Sequence, residues 1–448
     1  MIIKFKNLGP IENGEIDLND LKGINLIIGK NNTGKTYLSN LLYTYFKVRE
    51  RQNIKMDEVV GIRFKDRLSD SDYETIKDYF EKKYEKEIKD TLPQVFHTSK
   101  DTFKDFEIEV DLSDEILEFK KLDDDTIIYF REMRKTIKLK KFEDKIEYLM
   151  EDYDENKGKR YITYNRKIEE EEAKQIIFGY FLHIKFFQKI YKFHSFPAER
   201  SGAVLFYKQL LEERSDVLRE LELGNSENIG KISRYSEPVN DYVKFLNSIS
   251  DRSKGLTEAD IYRKLDTELK EILGGEVIID LEGNIMFRMN EKKIIDIGMV
   301  SSTVKTLTGF YLYLKYFAME RDIIFIDEIE LNLHPENQRK IMKLINYLSK
   351  QGIKFIISTH SPIITEEIDN MLLFEKVKDK INSEEMKEYG INSEYGLKTS
   401  DINVFHLHNK TVEKIKEKNG EFEIETFNTV LEETDNLYQT LLFYAEEK

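Results

Sequence analysis

Three apolar runs dominate the pattern of hydrophobic and polar positions along the chain. They occupy residues 24–28, 323–326 and 353–357, and each is rich in isoleucine on successive rather than alternate positions. Such runs are typical of strands buried on both faces of an α/β sheet. Between the second and third runs, residues 338–348 repeat apolar side chains at helical spacing. This order predicts a β-α-β crossover and therefore parallel strands.

Shorter elements accompany these runs. Residues 2–5 and 14–18 predict two strands before the first run, with turn-forming residues between them. After that run, apolar residues recur at helical spacing over 38–45 and predict a helix with one core-facing stripe. Residues 276–280 and 284–288 are separated by a Gly-containing turn and predict a β-hairpin.

Residues 47–190 differ in character from the rest of the chain. Lys and Glu are mixed with aromatic residues at spacings of three and four, which predicts partly exposed helices. Alternating pieces at 105–112 and 160–168 predict strands of a separate small sheet. The basic and aromatic stretch 185–208 favours an amphipathic helix that packs Phe193 inward, followed by a strand, over a surface for nucleic acid or a partner.

The pattern divides the chain into four parts. In the last of them, alternation at 403–407 and 421–427 and a helical pattern at 428–445 predict two strands and a helix. Packing against the core is favoured for them over docking a partner. The four parts are the N-terminal part of an α/β core (1–46), a helix-rich α+β insertion (47–190), the C-terminal part of the core (191–373) and a C-terminal addition (374–448).

The amino-acid composition mainly excludes several kinds of functional site. The chain has 448 residues, a net charge of −15 and no Cys, which excludes disulfides, thiolate zinc sites and cysteine nucleophiles. The acidic balance argues against uniform coating of nucleic acid, although a local basic groove would still bind it. Neither an apolar run of about 18 residues nor a leader pattern occurs, so we expect a cytoplasmic protein without a membrane partner.

The first apolar run leads directly into residues 29–36, which read GKNNTGKT and match the phosphate-binding pattern G-x-x-x-x-G-K-[ST]. A strand that ends in a Gly-rich turn before a helix directs several backbone N–H groups at one point, and the positive end of the helix adds to them. A polyphosphate fits there. The candidate nucleotide-binding residues are Gly29, Asn31, Asn32, Thr33, Gly34, Lys35 and Thr36.

The other two apolar runs also end in residues with useful chemistry. Asp327 and Glu328 follow the second run, at the sheet edge where open α/β sheets bind ligands. There Asp327 can hold Mg²⁺ together with Thr36, while Glu328 can deprotonate a water that attacks the γ-phosphate. The third run ends in Ser-Thr-His and places His360 where a γ-phosphate sensor belongs. Together these strand ends predict a site that binds ATP and Mg²⁺ and hydrolyses ATP, with Glu328 and His360 catalytic.

The motif set GKNNTGKT, IIFIDEIELNLHPENQ and ISTHSP resembles the SMC/ABC-type ATPase heads, and among them the OLD-like AAA ATPases. The resemblance covers the N-terminal part of the core and residues 196–373, and it leaves the insertion largely unmatched. It implies an ABC/SMC-type P-loop NTPase head with a mixed sheet. The implied roles are Walker A for residues 29–36, Walker B for Asp327 and Glu328, the D-loop region for 332–334 and the switch histidine for His360.

The same resemblance implies a signature segment, MVSSTVKT, that reaches the ATP of a second subunit. Ser301 aligns with the signature serine, while Ser302 and Thr303 stand where glycines are usual. Hydroxyls and N–H groups at a helix start can still hold a γ-phosphate, so Ser301 and Ser302 are candidate contacts in trans. Glu199 and Arg200 are candidates for the role of the Q-loop glutamine.

Function follows from the resemblance as an expectation. It implies a homodimer or higher oligomer that sandwiches ATP between its subunits. ATPases that look similar act in anti-phage defence systems such as Septu and PARIS, so a separate nuclease or toxin is the expected effector. The alternative is an SMC-like ATPase of DNA repair or chromosome maintenance that binds DNA directly.

Two other constellations are disfavoured as active sites. His406 and His408 share one face of a predicted strand, but carboxylate ligands for a metal are not evident near them. Residues 123–125 contain a D-x-D pattern within a charged, helical stretch that lacks the apolar strands of a Toprim nuclease. We therefore expect no nuclease activity in this chain.

Overall fold

The structure, a computed structural model, describes most of the chain in separate ranges. These are residues 1–51, 70–112, 127–130, 135–142, 145–154, 158–164, 192–222, 235–252, 258–418, 422 and 436–441. The chain divides into two units. The larger unit comprises Lys4–Phe46, Ile88–Ile108 and Tyr191–Lys448, and the smaller comprises Met1–Ile3, Lys47–Glu87 and Glu109–Ile190.

Within the described residues, the strands form three sheets: one of nine strands, one of four (β5 to β8) and one of three (β10 to β12). The described strands are β1 (Ile2–Leu8), β2 (Ile11–Asp17), β3 (Ile24–Gly29), β4 (Glu107–Asp111), β5 (Ile127–Phe130), β6 (Lys135–Phe142), β7 (Lys145–Asp154), β8 (Gly158–Tyr164), β9 (Phe193–Phe196), β10 (Gly275–Ile279), β11 (Ile285–Met289), β12 (Ile294–Asp296), β13 (Ile323–Ile326), β14 (Lys354–Thr359), β15 (Ile402–His408) and β16 (Thr411–Ile415).

The nine-stranded sheet has the order β4-β1-β2-β16-β15-β3-β14-β13-β9. From β15 to β9 the neighbouring strands are parallel, whereas β15 and β16 pair antiparallel. Every residue of β3 and β13 is buried, as expected for apolar strands covered on both faces. This mixed sheet confirms the predicted α/β class. It also brings the ends of the three apolar runs to one edge, because parallel strands end on the same side.

Helices of the larger unit pack in the same hydrophobic core as the central strands of this sheet. The crossover helix α7 begins at Pro335, where the His334 side chain accepts a hydrogen bond from the N–H of Glu336 at 3.3 Å. Among the described helices, none has an apolar stretch long enough to cross a membrane. They are α1 (Lys35–Arg51), α2 (Asp70–Val95), α3 (Arg200–Glu222), α4 (Glu237–Arg252), α5 (Asp260–Leu273), α6 (Ser302–Tyr316), α7 (Pro335–Lys350), α8 (Pro362–Val377) and α9 (Ser383–Glu388).

Two of the predicted strands form, but in a different position in the sheets from the one predicted. The strand predicted at 105–112 forms as β4, but β4 is the edge strand of the nine-stranded sheet and not part of a separate small sheet. The strand predicted at 403–407 forms as β15, which is buried and lies between β3 and β16. Residues beyond 373 therefore supply interior strands of the core sheet. Alternation predicts a strand but not its partner, because pairing depends on residues distant in sequence.

Phe193 also differs from its predicted role. It begins strand β9 instead of lying in a helix, and it pairs with Ile323 of β13. Its ring packs edge-on against Tyr43 of α1 at 5.3 Å between ring centroids. The part of the predicted amphipathic helix that precedes Lys192, from residue 185 to 191, lies outside the described residues.

The smaller predicted elements are confirmed where the structure describes them. The hairpin forms from β10 and β11, and Glu276 pairs with Arg288 across it. The strand predicted at 160–168 forms as β8 in the antiparallel four-stranded sheet. Of the helix predicted at 428–445, residues 436–441 are described and helical. Residues 123–125, and 421–427 apart from Phe422, lie outside the described residues.

Candidate active site

The candidate phosphate loop, residues 29–36, extends from the end of β3 into the start of α1. The strand ends at Gly29, and the loop turns into α1 through Gly34, whose φ of +105° suits a residue without a Cβ. A Cβ on Gly34 would lie 2.7 Å from Cγ1 of Ile11. Asn32 takes a left-handed φ of +64°, which Asn tolerates better than most residues. The loop thus has the backbone of an anion-binding turn at the start of a 17-residue helix.

Lys35 points back into this loop. Its Nζ donates hydrogen bonds to the carbonyl oxygens of Gly29, at 2.8 Å, and Lys30, at 2.9 Å. Burial lowers the pKa of the ammonium group, and the nearby carboxylates of Glu328, Glu330 and Asp327 act in the opposite direction. A desolvated cation held by two carbonyls is ready to exchange them for the oxygens of a polyphosphate.

Thr36 and Asp327 meet at the mouth of the loop. The Thr36 hydroxyl donates to Oδ2 of Asp327 at 3.4 Å. The Ser358 hydroxyl, at the end of β14, donates to the other carboxylate oxygen, Oδ1. One hydroxyl and one carboxylate next to a phosphate loop form the donor set that Mg²⁺ takes in such sites, so these residues fit the ion.

Glu328 lies on a strained turn directly after Asp327. Its φ is +48°, a value that non-Gly residues rarely adopt. Its backbone N–H donates to the Ser358 hydroxyl at 2.9 Å, which ties the turn to β14. The side chain is half-buried at the edge of the sheet, beside Lys35 and Asp327 in the local charge cluster. Strain that clusters at a carboxylate of this kind is a common feature of reactive sites.

Arg200 binds the backbone of Asp327 and Glu328. One guanidinium nitrogen, Nη1, donates to the carbonyl oxygens of Pro197 at 3.0 Å and Asp327 at 2.6 Å. The other, Nη2, donates to the carbonyl oxygen of Glu328 at 2.8 Å. The side chain is buried, and burial lowers its pKa, against the attraction of Tyr242 and the site carboxylates. Arg200 therefore supports the carboxylates through their carbonyls, which differs from the Q-loop role expected for it.

His360 lies beside a buried carboxylate that sequence reasoning missed. Oε1 of Glu330 accepts a hydrogen bond from the backbone N–H of His360 at 2.8 Å and lies 3.0 Å from Nδ1 of its ring. Oε2 accepts from the Thr359 hydroxyl at 2.7 Å. Glu330 is two residues beyond Glu328. The alternating acidic residues after one apolar run, together with the Ser-Thr-His end of the next run, could have indicated this contact from sequence.

The signature residues begin α6. The Ser301 side chain caps the helix, because its Oγ accepts from the N–H of Val304 at 3.3 Å. Ser302 is exposed in the first turn. The Thr303 hydroxyl donates to the carbonyl oxygen of Asn332 at 2.7 Å. In the parts of the chain that are described, the hydrogen bonds of Ser301 and Thr303 thus join α6 to itself and to the Asn332 loop, and not to the phosphate loop.

His406 and His408 contact each other on β15. Their rings stack at 4.7 Å between centroids, and Nε2 of His408 lies 2.6 Å from a carboxylate oxygen of Glu413. Within the described ranges, no group of three or more His, Asp or Glu side chains is arranged to hold a metal ion.

The motif residues and their geometry agree with a comparison to known protein families. The match to the AAA ATPase domain family covers residues 1–365. The chain belongs to this family. As an AAA ATPase domain, it has every predicted site residue, from Gly29 to His360, inside the matched region.

Solved structures of SMC heads also match this AAA ATPase domain along most of its length. The SMC head domain from Thermotoga maritima is 9% identical, with a TM-score of 0.29, and the match covers 93% of this chain and 98% of that one. The Smc head domain with an extended coiled coil bound to the C-terminal domain of ScpA, from Pyrococcus furiosus, is 13% identical with a TM-score of 0.34, covering 97% and 98%.

Proposed function

We propose that this chain binds and hydrolyses ATP as a dimeric clamp. The observation that supports this most strongly is the meeting of Thr36 and Asp327, which are 291 residues apart in sequence and whose side-chain oxygens lie 3.4 Å apart. Lys35 and Glu328 belong to the same charge cluster. A phosphate-binding cation, a pair of Mg²⁺ ligands and a candidate base together are what phosphoryl transfer to water requires.

Each residue has a distinct part in the proposed reaction. The loop N–H groups and Lys35 bind the phosphates, and Thr36 and Asp327 would hold Mg²⁺, which neutralises charge that develops on the phosphate oxygens. Glu328 orients a water molecule and takes its proton. His360 faces the terminal phosphate from the next strand along the edge. Arg200 and Ser358 keep the two carboxylates in place.

Dimerisation is proposed from the signature segment. Ser301 and Ser302 are exposed at the start of α6, so they are available to the ATP of a second copy. Backbone N–H groups at a helix start and two hydroxyls suit a γ-phosphate. Each ATP would contact the phosphate loop of one copy and the signature segment of the other. ATP binding therefore closes the dimer, and ATP hydrolysis lets it open.

Mixing two inactive variants tests the shared site. Lys35→Ala removes the phosphate-loop cation, and Ser302→Arg blocks the signature without removing the Ser301 cap. We expect each variant alone to be nearly inactive. Their mixture should regain up to about a quarter of the wild-type rate, because half of the dimers are mixed and each has one intact site of two. Phosphate release is measured against the mixing ratio.

The mixing experiment also has a clear contrary outcome. A mixture that stays as inactive as its components would contradict an active site built from two copies. A Ser302→Arg variant with full activity on its own would show that the start of α6 does not face the nucleotide.

We further propose that the clamp regulates a separate nuclease or toxin in a prokaryotic anti-phage defence system. The resemblance of its motifs to OLD-like ATPases supports this assignment. The chain, and a nuclease or toxin encoded beside it, would be expressed separately and together in bacteria challenged with phage. Protection is expected only from the pair, and only with Glu328 intact. Protection by the ATPase alone, or equal protection without it, would contradict the proposal.

A further inference from the structure

We propose that Glu330 is a positioning residue that fixes the ring of His360 for its contact with the reacting phosphate. The inference rests on the proposed function, since it names how one group of that site is held. Glu330 has a side-chain exposure of only 8% and lies in the loop that follows β13, whereas His360 follows β14. The pair therefore joins the ends of two adjacent strands.

Glu330 uses its carboxylate entirely on the turn that carries His360. One oxygen, Oε2, accepts the Thr359 hydroxyl at 2.7 Å. The other, Oε1, accepts the backbone N–H of His360 at 2.8 Å and faces Nδ1 of its ring at 3.0 Å. A buried carboxylate without such donors would be costly, so these contacts explain how an acidic side chain is tolerated there.

The contact of Glu330 with Nδ1 determines which ring nitrogen of His360 carries the hydrogen. An ionised carboxylate can only accept hydrogen bonds, so the hydrogen of the ring must be on Nδ1 when it meets Glu330. Nε2 then accepts a hydrogen bond from the attacking water in the neutral ring, and it donates to a phosphate oxygen when both ring nitrogens carry a hydrogen. The side chain of His360 is 44% exposed, so part of the ring is accessible.

Further hydrogen bonds involve the same turn. The backbone N–H of Ser361 donates to the Thr359 hydroxyl at 3.1 Å, and the Ser361 hydroxyl donates to Oε1 of Gln338 at 2.6 Å. Gln338 in turn donates to the carbonyl oxygen of Leu333 at 3.1 Å. Within this hydrogen-bond network, Glu330 is the residue that contacts the ring of His360. Its replacement should therefore change the orientation of His360 more than the stability of the fold.

A double-mutant cycle on ATP hydrolysis tests the inference. The variants are Glu330→Gln, His360→Ala and the two combined, with Glu388→Gln, an exposed carboxylate on α9, as control. Glu330→Gln is expected to lower kcat by about tenfold or more, as loss of a tautomer-fixing carboxylate does, with little change in KM for ATP. In the His360→Ala background the same change should have no further effect, because the two act as a unit.

The tautomer itself is read by ¹⁵N NMR on protein labelled at histidine, with His360→Ala assigning the signal. The wild type is expected to carry its hydrogen on Nδ1 of His360, and Glu330→Gln should shift this signal. This measurement needs no ATP hydrolysis. If the chain hydrolyses no ATP, the proposed function fails and the NMR result alone decides the role of Glu330.

Three outcomes would overturn the role of Glu330. The first is a Glu330→Gln variant with the kcat of the wild type. The second is an effect of the same size whether or not His360 is present. The third is a wild-type spectrum with the hydrogen of His360 on Nε2 and none on Nδ1, which needs no folded Glu330 variant to be seen.

Discussion

Replacement of Glu328 by Gln is expected to lower kcat for ATP hydrolysis by about a hundredfold or more, the usual contribution of a general base. Gln keeps the size of the side chain and meets the same backbone φ of +48°, so the turn should be unchanged. It cannot take a proton from water. Lys35, Thr36 and Asp327 remain, and we therefore expect the affinity for ATP to stay close to that of the wild type.

Two measurements separate this loss from misfolding. Phosphate release gives kcat, and calorimetric titration with ATP gives the affinity. Light scattering in the presence of ATP should show a larger dimeric fraction for Glu328→Gln, because the closed clamp no longer opens by hydrolysis. Glu336→Gln, an exposed carboxylate in the first turn of α7, is the matched control and should retain wild-type activity. A Glu328→Gln variant with a kcat near that of the wild type would remove Glu328 from the base role.

The strand ends of the site could be predicted because their signals are local. An apolar run followed by GKNNTGKT, by Asp327-Glu328 or by Ser-Thr-His identifies a buried strand and the chemistry at its end without reference to any other segment. The helix between β13 and β14 predicts that these two strands are parallel, and the structure adds β3 as a parallel neighbour of β14. The meeting of Thr36 and Asp327 is then a consequence of topology.

The position of β15 could not be predicted in the same way. Its residues show the alternation of a strand, but its place beside β3 depends on pairing with a segment more than 370 residues earlier. A buried bond carries part of that pairing, since Nδ2 of Asn403 donates to Oδ1 of Asn25 at 3.1 Å. Nothing in either local pattern indicates that these two amides meet.

Glu330 and Arg200 show a second limit of local patterns. A carboxylate two residues after Glu328 reads as a solvated charge unless the turn at Glu328 is known, and that turn has a φ few residues adopt. Arg200 is the first residue of α3 and directly follows a loop, so its sequence context suggests a surface residue. Its burial follows from the three carbonyl oxygens that it binds, two of them more than 120 residues away.

Replacement of Arg200 by Met is expected to lower the free energy of unfolding by about 3 kcal/mol or more, because three carbonyl oxygens lose their donor at once. Two of these belong to Asp327 and Glu328, so hydrolysis should fall as well. Arg200→Lys keeps the charge, but one ammonium cannot span the carbonyls that the two guanidinium nitrogens reach. We therefore expect Lys to restore only part of the stability and little of the activity.

Urea unfolding followed by circular dichroism measures the stability, and phosphate release measures the activity. Lys264→Met, on the exposed side of α5, is the control and should change the stability by no more than about 0.5 kcal/mol. An Arg200→Met variant as stable and as active as that control would contradict both the structural and the positioning role. Stability lost together with full activity in the folded fraction would leave Arg200 a structural residue and would mean that the carboxylate pair keeps its geometry without the guanidinium.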